Sequence, residues 1–345
     1  MDFLNLFESC HLCPRKCGVN RLGEGKDSLS PFCGENHHLR VAYLGPHFGE
    51  EPPITGKNGS GTIFFTGCSL RCSFCQNHQI SRDGLGRIMD LDELFEGAVK
   101  MIREDHVHNI NFVTPDHFFP YVFQLVFLLR RRGYDLPIVY NLSGYQSLDM
   151  LKMAEDYVDI YLPDFKYADS SLSTRLSKCK DYPKVALEAI AEMVRQKGFL
   201  NYSESRSELA NKGTMVRHLI LPGRVENSLN ALTTLFLEFG AGLPISLMSQ
   251  YVPVIPQEET DLNRPITREE FDKVYSHVLD LGFEQLFVQF PEQLSLDRSK
   301  PSSFLPDFLR ADPFHEEIHF IDMEEGHCYK LPDIFMRSFL KWLKE

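Results

Sequence analysis

What the chain lacks narrows it first. It has no apolar run of the roughly 20 residues that cross a bilayer, so a membrane span is not expected. Its start, Met1-Asp2-Phe3-Leu4-Asn5, has neither the basic head nor the long apolar stretch of a secretory signal, which makes a cytoplasmic protein the expectation. Positive charge is scarce: 36 Lys and Arg stand against 48 Asp and Glu, for a net charge of −12. That balance argues against broad, phosphate-driven nucleic-acid binding. The one basic cluster, Arg130-Arg131-Arg132, ends an apolar stretch and suits a helix C-terminus. Low-complexity tracts and internal repeats are absent. With 43% apolar residues in 345, the composition is that of a chain with a real core.

The nine cysteines are not spread as a disulfide scaffold would spread them. Seven precede residue 76, which suits metal binding in a reducing compartment. Three lie in Gly67-Cys68-Ser69-Leu70-Arg71-Cys72-Ser73-Phe74-Cys75-Gln76-Asn77, at C-x3-C-x2-C spacing. Thr62–Thr66, just before them, is an apolar, β-rich run that reads as a buried strand. Three thiolates on a loop leaving a strand can hold three irons of a [4Fe–4S] cube. The fourth iron is then open, as a catalytic site requires. His78 adds C-x2-H spacing, so a tetrahedral zinc site of Cys68, Cys72, Cys75 and His78 is the competing reading. The second group, Cys10, Cys13, Cys17 and Cys33, has C-x2-C-x3-C-x15-C spacing among Pro14, Gly18, Gly23, Gly25 and Pro31. It can hold a structural zinc ion or an auxiliary iron–sulfur cluster, which spacing does not separate.

Residues 1–60 read as this cysteine-rich segment followed by a loop over 45–60, where Pro52-Pro53 and the glycines oppose regular structure. His47, Glu50 and Glu51 are taken there as solvated. From residue 61 to about 290, strand and helix patterns alternate. Helices are expected at 90–104, 117–132, 147–155, 183–197, 226–239 and 268–281. Strands are expected at 109–113, 137–140, 157–162, 214–221, 244–248 and 286–289. Asp90 and Glu93 have capping-box spacing. The alternation implies parallel strands with helical crossovers, six to seven units in all: an α/β, open, partial (β/α)6 TIM-like barrel. Residues 291–345 form a C-terminal extension, with an edge strand expected at 318–322, an amphipathic helix at 333–343, and His327 and Cys328 as a weak metal pair.

Ligands of such folds bind outside the carboxyl ends of the strands, where polar residues stand out here. Thr114 and Asp116 follow the second strand. Asn141 and Ser143 follow the third, pointing the same way by alternation. Asp164 and Lys166 follow the fourth. Arg217 and His218 interrupt an apolar strand, so one of the two faces inward.

The cysteine motif, its preceding strand and Phe74 resemble the radical S-adenosylmethionine (SAM) superfamily. The Asp164-Phe165-Lys166 and Val216–Gly223 runs resemble its pyruvate formate-lyase activating enzyme-like branch. With the Cys-x-x-Cys-Pro-Arg start at Cys10, they look like an uncharacterised group within it. The resemblance implies a (β/α)6 barrel and a [4Fe–4S] cluster on Cys68, Cys72 and Cys75 whose open iron chelates SAM. It further implies Phe74 near the adenine, and Thr114, Asp116, Asn141, Ser143, Asp164, Lys166 and Arg217 as SAM-lining candidates. The expected activity is reductive cleavage of SAM to a 5′-deoxyadenosyl radical, with electrons from flavodoxin or ferredoxin. The hydrogen taken would come from a glycyl radical enzyme, by family analogy. The alternative is a non-catalytic zinc-binding module with two cysteine-rich knuckles.

Overall fold

The chain builds an antiparallel edge before it begins to wind. The computed structural model describes residues 3–23, 30–202, 209–291, 305–310 and 312–314. In it β1 (Arg40–His47) runs against β2 (Ser60–Phe65), with Val41 opposite Phe65 and His47 opposite Ser60. Between them lies one helical turn, α1 (Pro52–Thr55). The stretch expected as loop is therefore strand up to His47 and helical at Pro52–Thr55. Prolines are tolerated in a first helical turn, where the backbone N–H has no partner within the helix anyway.

After β2 come the cysteine loop, α2 (His78–Ser81) and β3 (Arg87–Ile88), which pairs with β1. The series continues with α3 (Leu91–Arg103), β4 (Ile110–Val113), α4 (Phe119–Arg131), β5 (Ile138–Leu142) and α5 (Leu148–Ala154). Next are β6 (Ile160–Pro163), α6 (Ser170–Ser177), α7 (Tyr182–Lys197), β7 (Asn201–Tyr202) and β8 (Ala210–Thr214). It ends with β9 (Val216–Leu219), α8 (Val225–Phe239), β10 (Ile245–Met248), α9 (Arg268–Leu281) and β11 (Leu286–Val288). The capping box forms as its spacing predicts: Asp90 accepts from Glu93 N–H (2.8 Å) and Glu93 from Asp90 N–H (3.0 Å). α6 is an element that periodicity did not indicate. Its short, serine-rich sequence has little helical stripe, and Asp169 starts it by accepting from Ser171 and Leu172 N–H.

β8 and β9 are separated only by Met215 and act as one bent strand. The first half pairs with β6 (Tyr161 with Thr214) and the second with β10 (Arg217 with Ser246). Phe165 N–H donates to Arg217 O (2.8 Å), joining the two ladders. The parallel order is thus β2-β4-β5-β6-β8/β9-β10-β11, a seven-strand arc with β1 and β3 as an antiparallel edge. Among the described residues no ladder closes it, so the fold is the expected α/β partial barrel.

Side chains alternate between its two faces. Ile63, Phe65, Phe112, Tyr140 and Tyr161 pack outward among Leu94, Ala98, Phe119, Phe123 and Leu151 of the helices. Val139, Ile160, Leu162 and Met215 form a separate inner cluster with Ile54 of α1. In the C-terminal extension, Phe308 and Phe314 pack on Phe64. The strand at 318–322, the helix at 333–343 and the pair His327 and Cys328 lie outside the described residues.

Candidate cofactor site

β2 delivers the cysteine loop to the carboxyl edge of the arc. The turn into it needs a glycine. Gly67 has φ 86°, and a side chain there would meet Cys33 O at 2.9 Å and Glu35 Cγ at 2.6 Å. Cys72 is buried, and Cys68 and Cys75 are half-buried. Hydrogen-bond donors surround the sulfurs. Leu70 N–H reaches Cys68 Sγ (3.3 Å), Ser177 Oγ reaches Cys72 Sγ (3.1 Å), and Ser81 Oγ reaches Cys75 Sγ (3.4 Å). Removal from water, together with the neighbouring thiols of Cys72 and Cys75, pushes Cys68 up to about 12. Three thiolates need a compensating positive charge in such a place, and metal ions supply it. Donors aimed at the sulfurs also suit an iron–sulfur cluster, whose potential they tune. The donor set therefore fits the cluster.

A closed zinc knuckle would need His78 as its fourth ligand. Among the described residues no three Cys, His, Asp or Glu side chains stand together around one point, so either metal would have to draw the thiols in. His78 turns its Nδ1 to Asp83 (2.9 Å). Cluster thiolates bind different irons of one cube and likewise gather around it.

The remaining sequence-singled residues fall into three groups. Phe74 is buried edge-on to Tyr167 and Tyr251, with centroids 6.4 and 6.2 Å away. Lys166 pairs with Asp164. Burial alone would lower Lys166, but Asp164 and the thiols of Cys72 and Cys75 raise it above its usual range. This ion pair thus stands beside the cysteine loop. Tyr182 ties the strand ends below it: its Oη accepts from Lys166 N–H (2.9 Å) and lies 2.9 Å from Ser143 O and 3.0 Å from Asp164 O.

Asp116 and Ser143 meet through Gln146, whose Nε2 donates to both (3.0 and 3.3 Å). Asp116 is fully buried, and Ser69 Oγ lies 3.4 Å from it. Burial raises its carboxyl to about 6. Thr114 carries φ 55°, a left-handed conformation that is costly for a β-branched residue, and its N–H donates to Asn141 O (3.0 Å). His117, adjacent to this group, contacts Thr66 O through Nε2 (2.6 Å), and burial lowers it to about 3.

Asn141 and Arg217 form the third group, around a residue read as solvated. Because β1 is antiparallel to β2, the 48–59 stretch enters from the end of the barrel opposite the cysteines. It carries Glu50 and Glu51 inside, with side chains 5% and 9% exposed. Glu50 accepts from Asn111 Nδ2 (2.9 Å), Asn141 Nδ2 (3.1 Å) and Arg217, and Glu51 accepts from Arg217 (2.9 Å). The solvated reading is corrected: two carboxylates beside a proline pair are drawn in by the buried arginine. Burial alone would raise Glu50, yet Arg217 and His47 hold it below the usual carboxylate range. Asn141 and Ser143 take different partners, because Ser143 lies one residue past β5 and strand alternation ends there. Of the Arg217–His218 pair, Arg217 faces in. His218 bonds Phe165 O (2.7 Å) and Ser228 Oγ of α8 (2.9 Å).

Gln146, Ser177, Ser81 and Tyr182 were not singled out in the sequence, and Glu50 was named there only as a loop residue taken as solvated.

Residues 62–229 match the family described as the Radical SAM superfamily. The uncharacterized protein MJ0674 of Methanocaldococcus jannaschii is 28% identical over 280 residues, covering 78% of this chain and 74% of its own length. Streptococcus suis SuiB bound to its precursor peptide SuiA is similar at TM-score 0.44 and 11% identity, over 65% of this chain and 46% of that one. A spore photoproduct lyase mutant is similar at TM-score 0.45 and 13% identity, over 72% and 79%. The chain spans about half the length of SuiB. An α/β arc with three thiols on the loop after its first parallel strand is a setting in which an iron–sulfur cluster can be held. Over residues 62–229 the chain is similar to the Radical SAM superfamily, whose cofactors are a [4Fe–4S] cluster and SAM.

Proposed function

We propose that Cys68, Cys72 and Cys75 hold a [4Fe–4S] cluster at which this enzyme cleaves SAM reductively for hydrogen abstraction. The observation that carries the reading is the loop itself: three free thiols, each met by a donor to sulfur, beside the Asp164–Lys166 pair. Held by Cys68, Cys72 and Cys75, such a cluster would supply the one-electron reduction that reductive cleavage of SAM requires. Phe74 offers an apolar wall next to Cys75 for the adenine. Lys166 and Asp164 offer charges of both signs for the ribose and the methionine end. Thr114, Asp116, Asn141 and Ser143 line the neighbouring strand ends, and Arg217 stays committed to Glu50 and Glu51 below them.

An external one-electron donor of the flavodoxin or ferredoxin type supplies the electron. Resemblance of the Asp164–Lys166 and Val216–Gly223 runs to activases supports a backbone glycine of a partner enzyme as the hydrogen source.

The test is anaerobic purification, iron and sulfide quantification, and SAM cleavage with dithionite. Brown protein that releases 5′-deoxyadenosine, with SAM cleavage and about four of its irons lost in Cys72→Ala, is the expected result. Colourless, zinc-loaded protein that leaves SAM intact after anaerobic reconstitution would overturn the reading. A glycine-centred radical signal on a co-incubated glycyl radical enzyme tests the finer assignment. SAM cleavage without that signal on any such enzyme would turn attention to a small-molecule substrate.

A further inference from the structure

The N-terminal cysteines lie outside the matched stretch of residues 62–229, and the reading above does not use them. Their backbone is folded as a knuckle. Cys10 N–H donates to Val19 O (3.0 Å), Gly18 N–H to Cys10 O (3.0 Å) and Lys16 N–H to Cys13 O (3.0 Å). Lys16 and Gly18 take left-handed backbone (φ 44° and 67°), which turns the chain back tightly. Cys10, Cys13 and Cys33 are 5%, 7% and 7% exposed, and Cys17 sits half-buried on the same knuckle. The first three are close enough for their charges to interact, Cys13 with Cys33 and Cys10, and Cys33 with Cys10. All four are free thiols. Arg21, 2% exposed, places Nη1 3.8 Å from Cys10 Sγ, a cation beside sulfurs that would become thiolates. Phe7, Leu12 and Val19 already anchor this stretch in the main core, so its packing does not call for four thiols at this spacing, whereas metal binding does.

The knuckle is seated on the cofactor loop. Arg15 donates to Ser69 O (3.0 Å), within the loop, and to Ser177 O (2.9 Å) and Lys178 O (2.6 Å) at the end of α6. Carbonyls at a helix C-terminus are partners that a cation favours. Ser177 is held from both sides: its carbonyl accepts from Arg15, and its hydroxyl reaches Cys72 Sγ at 3.1 Å. Cys33 O stands against Gly67, and Arg71 Nη1 donates to Phe32 O (3.3 Å). Asp116 lies between the groups, near Ser69 on one side and Cys13 on the other.

We propose that Cys10, Cys13, Cys17 and Cys33 hold a second, thiolate-bound metal centre, and that this centre braces the [4Fe–4S] loop through Arg15 and Ser177. The chemistry is that of a thiophilic metal, supplied either as a zinc ion or as an iron–sulfur cluster. As they stand the four thiols, like those of the cofactor loop, do not converge on one point among the described residues. Either metal would draw them in.

The full chain carrying Cys68→Ala, Cys72→Ala and Cys75→Ala isolates the N-terminal set. Retention of about four irons with sulfide, or of about one zinc per chain, is expected and tells the two sources apart. Adding Cys13→Ser and Cys33→Ser should remove that metal. A folded triple variant with no metal after exposure to either source overturns the proposal. Should the triple variant not fold, alkylation of the wild-type protein decides. Metal-held thiols at 10, 13, 17 and 33 react only after chelation, and reactivity unchanged by chelator overturns the site. The brace is tested by Arg15→Met, which should keep the N-terminal metal while releasing iron from the first cluster several-fold faster to a chelator. An unchanged release rate overturns the brace. Failure of wild-type protein to take up iron would strike the first cluster alone, because the N-terminal count is read independently.

Discussion

Glu50 decides whether the barrel's inner end is a built element. Its carboxylate is 5% exposed and accepts from two amides and a guanidinium. In Glu50→Ala, Arg217 keeps only Glu51 (2.9 Å), and its Nε is already without a partner. The Nδ2 groups of Asn111 and Asn141 lose their acceptor. Breaking a buried pair from one side costs about 3–5 kcal/mol. Because Glu51 retains part of the pairing, the lower end, about 3 kcal/mol, is expected. Glu50→Gln keeps an acceptor for the amides but turns an NH2 donor toward Arg217, so about 2–3 kcal/mol is expected. Arg217→Met should be the worst single change, since it strands two buried carboxylates. Adding Glu50→Gln and Glu51→Gln to it should then restore about 1–2 kcal/mol, because removing all the charges leaves none unpaired. Urea midpoints of the reduced apoprotein, followed by circular dichroism, give this ranking without any cofactor. A Glu50→Ala variant within about 0.5 kcal/mol of wild type would refute the argument. So would an Arg217→Met variant that the two glutamines do not improve.

Two further outcomes follow from single residues. Burial lowers His218 from 6.5 to about 4 despite its contact with Phe165 O. The unfolded chain therefore takes the proton first as pH falls, and stability drops between pH 6.5 and 4 by about 3 kcal/mol for this residue. His218→Gln should remove that share of the acid limb in pH-dependent urea midpoints, leaving the shares of His117 and His47, which are lowered in the same direction; an unaltered limb would refute the assignment. Thr114→Gly should relieve left-handed backbone strain worth about 1–2 kcal/mol and raise stability by about 1 kcal/mol, read as a higher urea midpoint. If SAM affinity falls as stability rises, Thr114 touches the ligand; an unchanged affinity removes it from the site.

Short spacings and periodic patterns were legible in the linear chain, because each depends on neighbours in sequence. The C-x3-C-x2-C loop behind a β-rich run needed no tertiary information to point to an iron–sulfur centre. The alternation of helix and strand gave the partial barrel, and α9 occupies the expected 268–281. The capping box at Asp90 and Glu93 forms for the same local reason.

Partnerships across the barrel were not legible. Glu50 lies 167 residues before Arg217, and nothing local distinguishes a carboxylate drawn into a barrel from one in solvent. Only the antiparallel register of β1 and β2 sends that stretch in from the end opposite the cysteines. The serine-rich α6 carries little apolar stripe, so its existence rests on Asp169 and on tertiary packing. Yet its last residue meets both Cys72 and Arg15. Residue types and spacings by themselves determined which chemistry this protein is equipped for. Which acids are buried, and that the two cysteine groups share one wall, was decided by the fold, because burial and charge pairing depend on what long-range packing brings within a few ångströms.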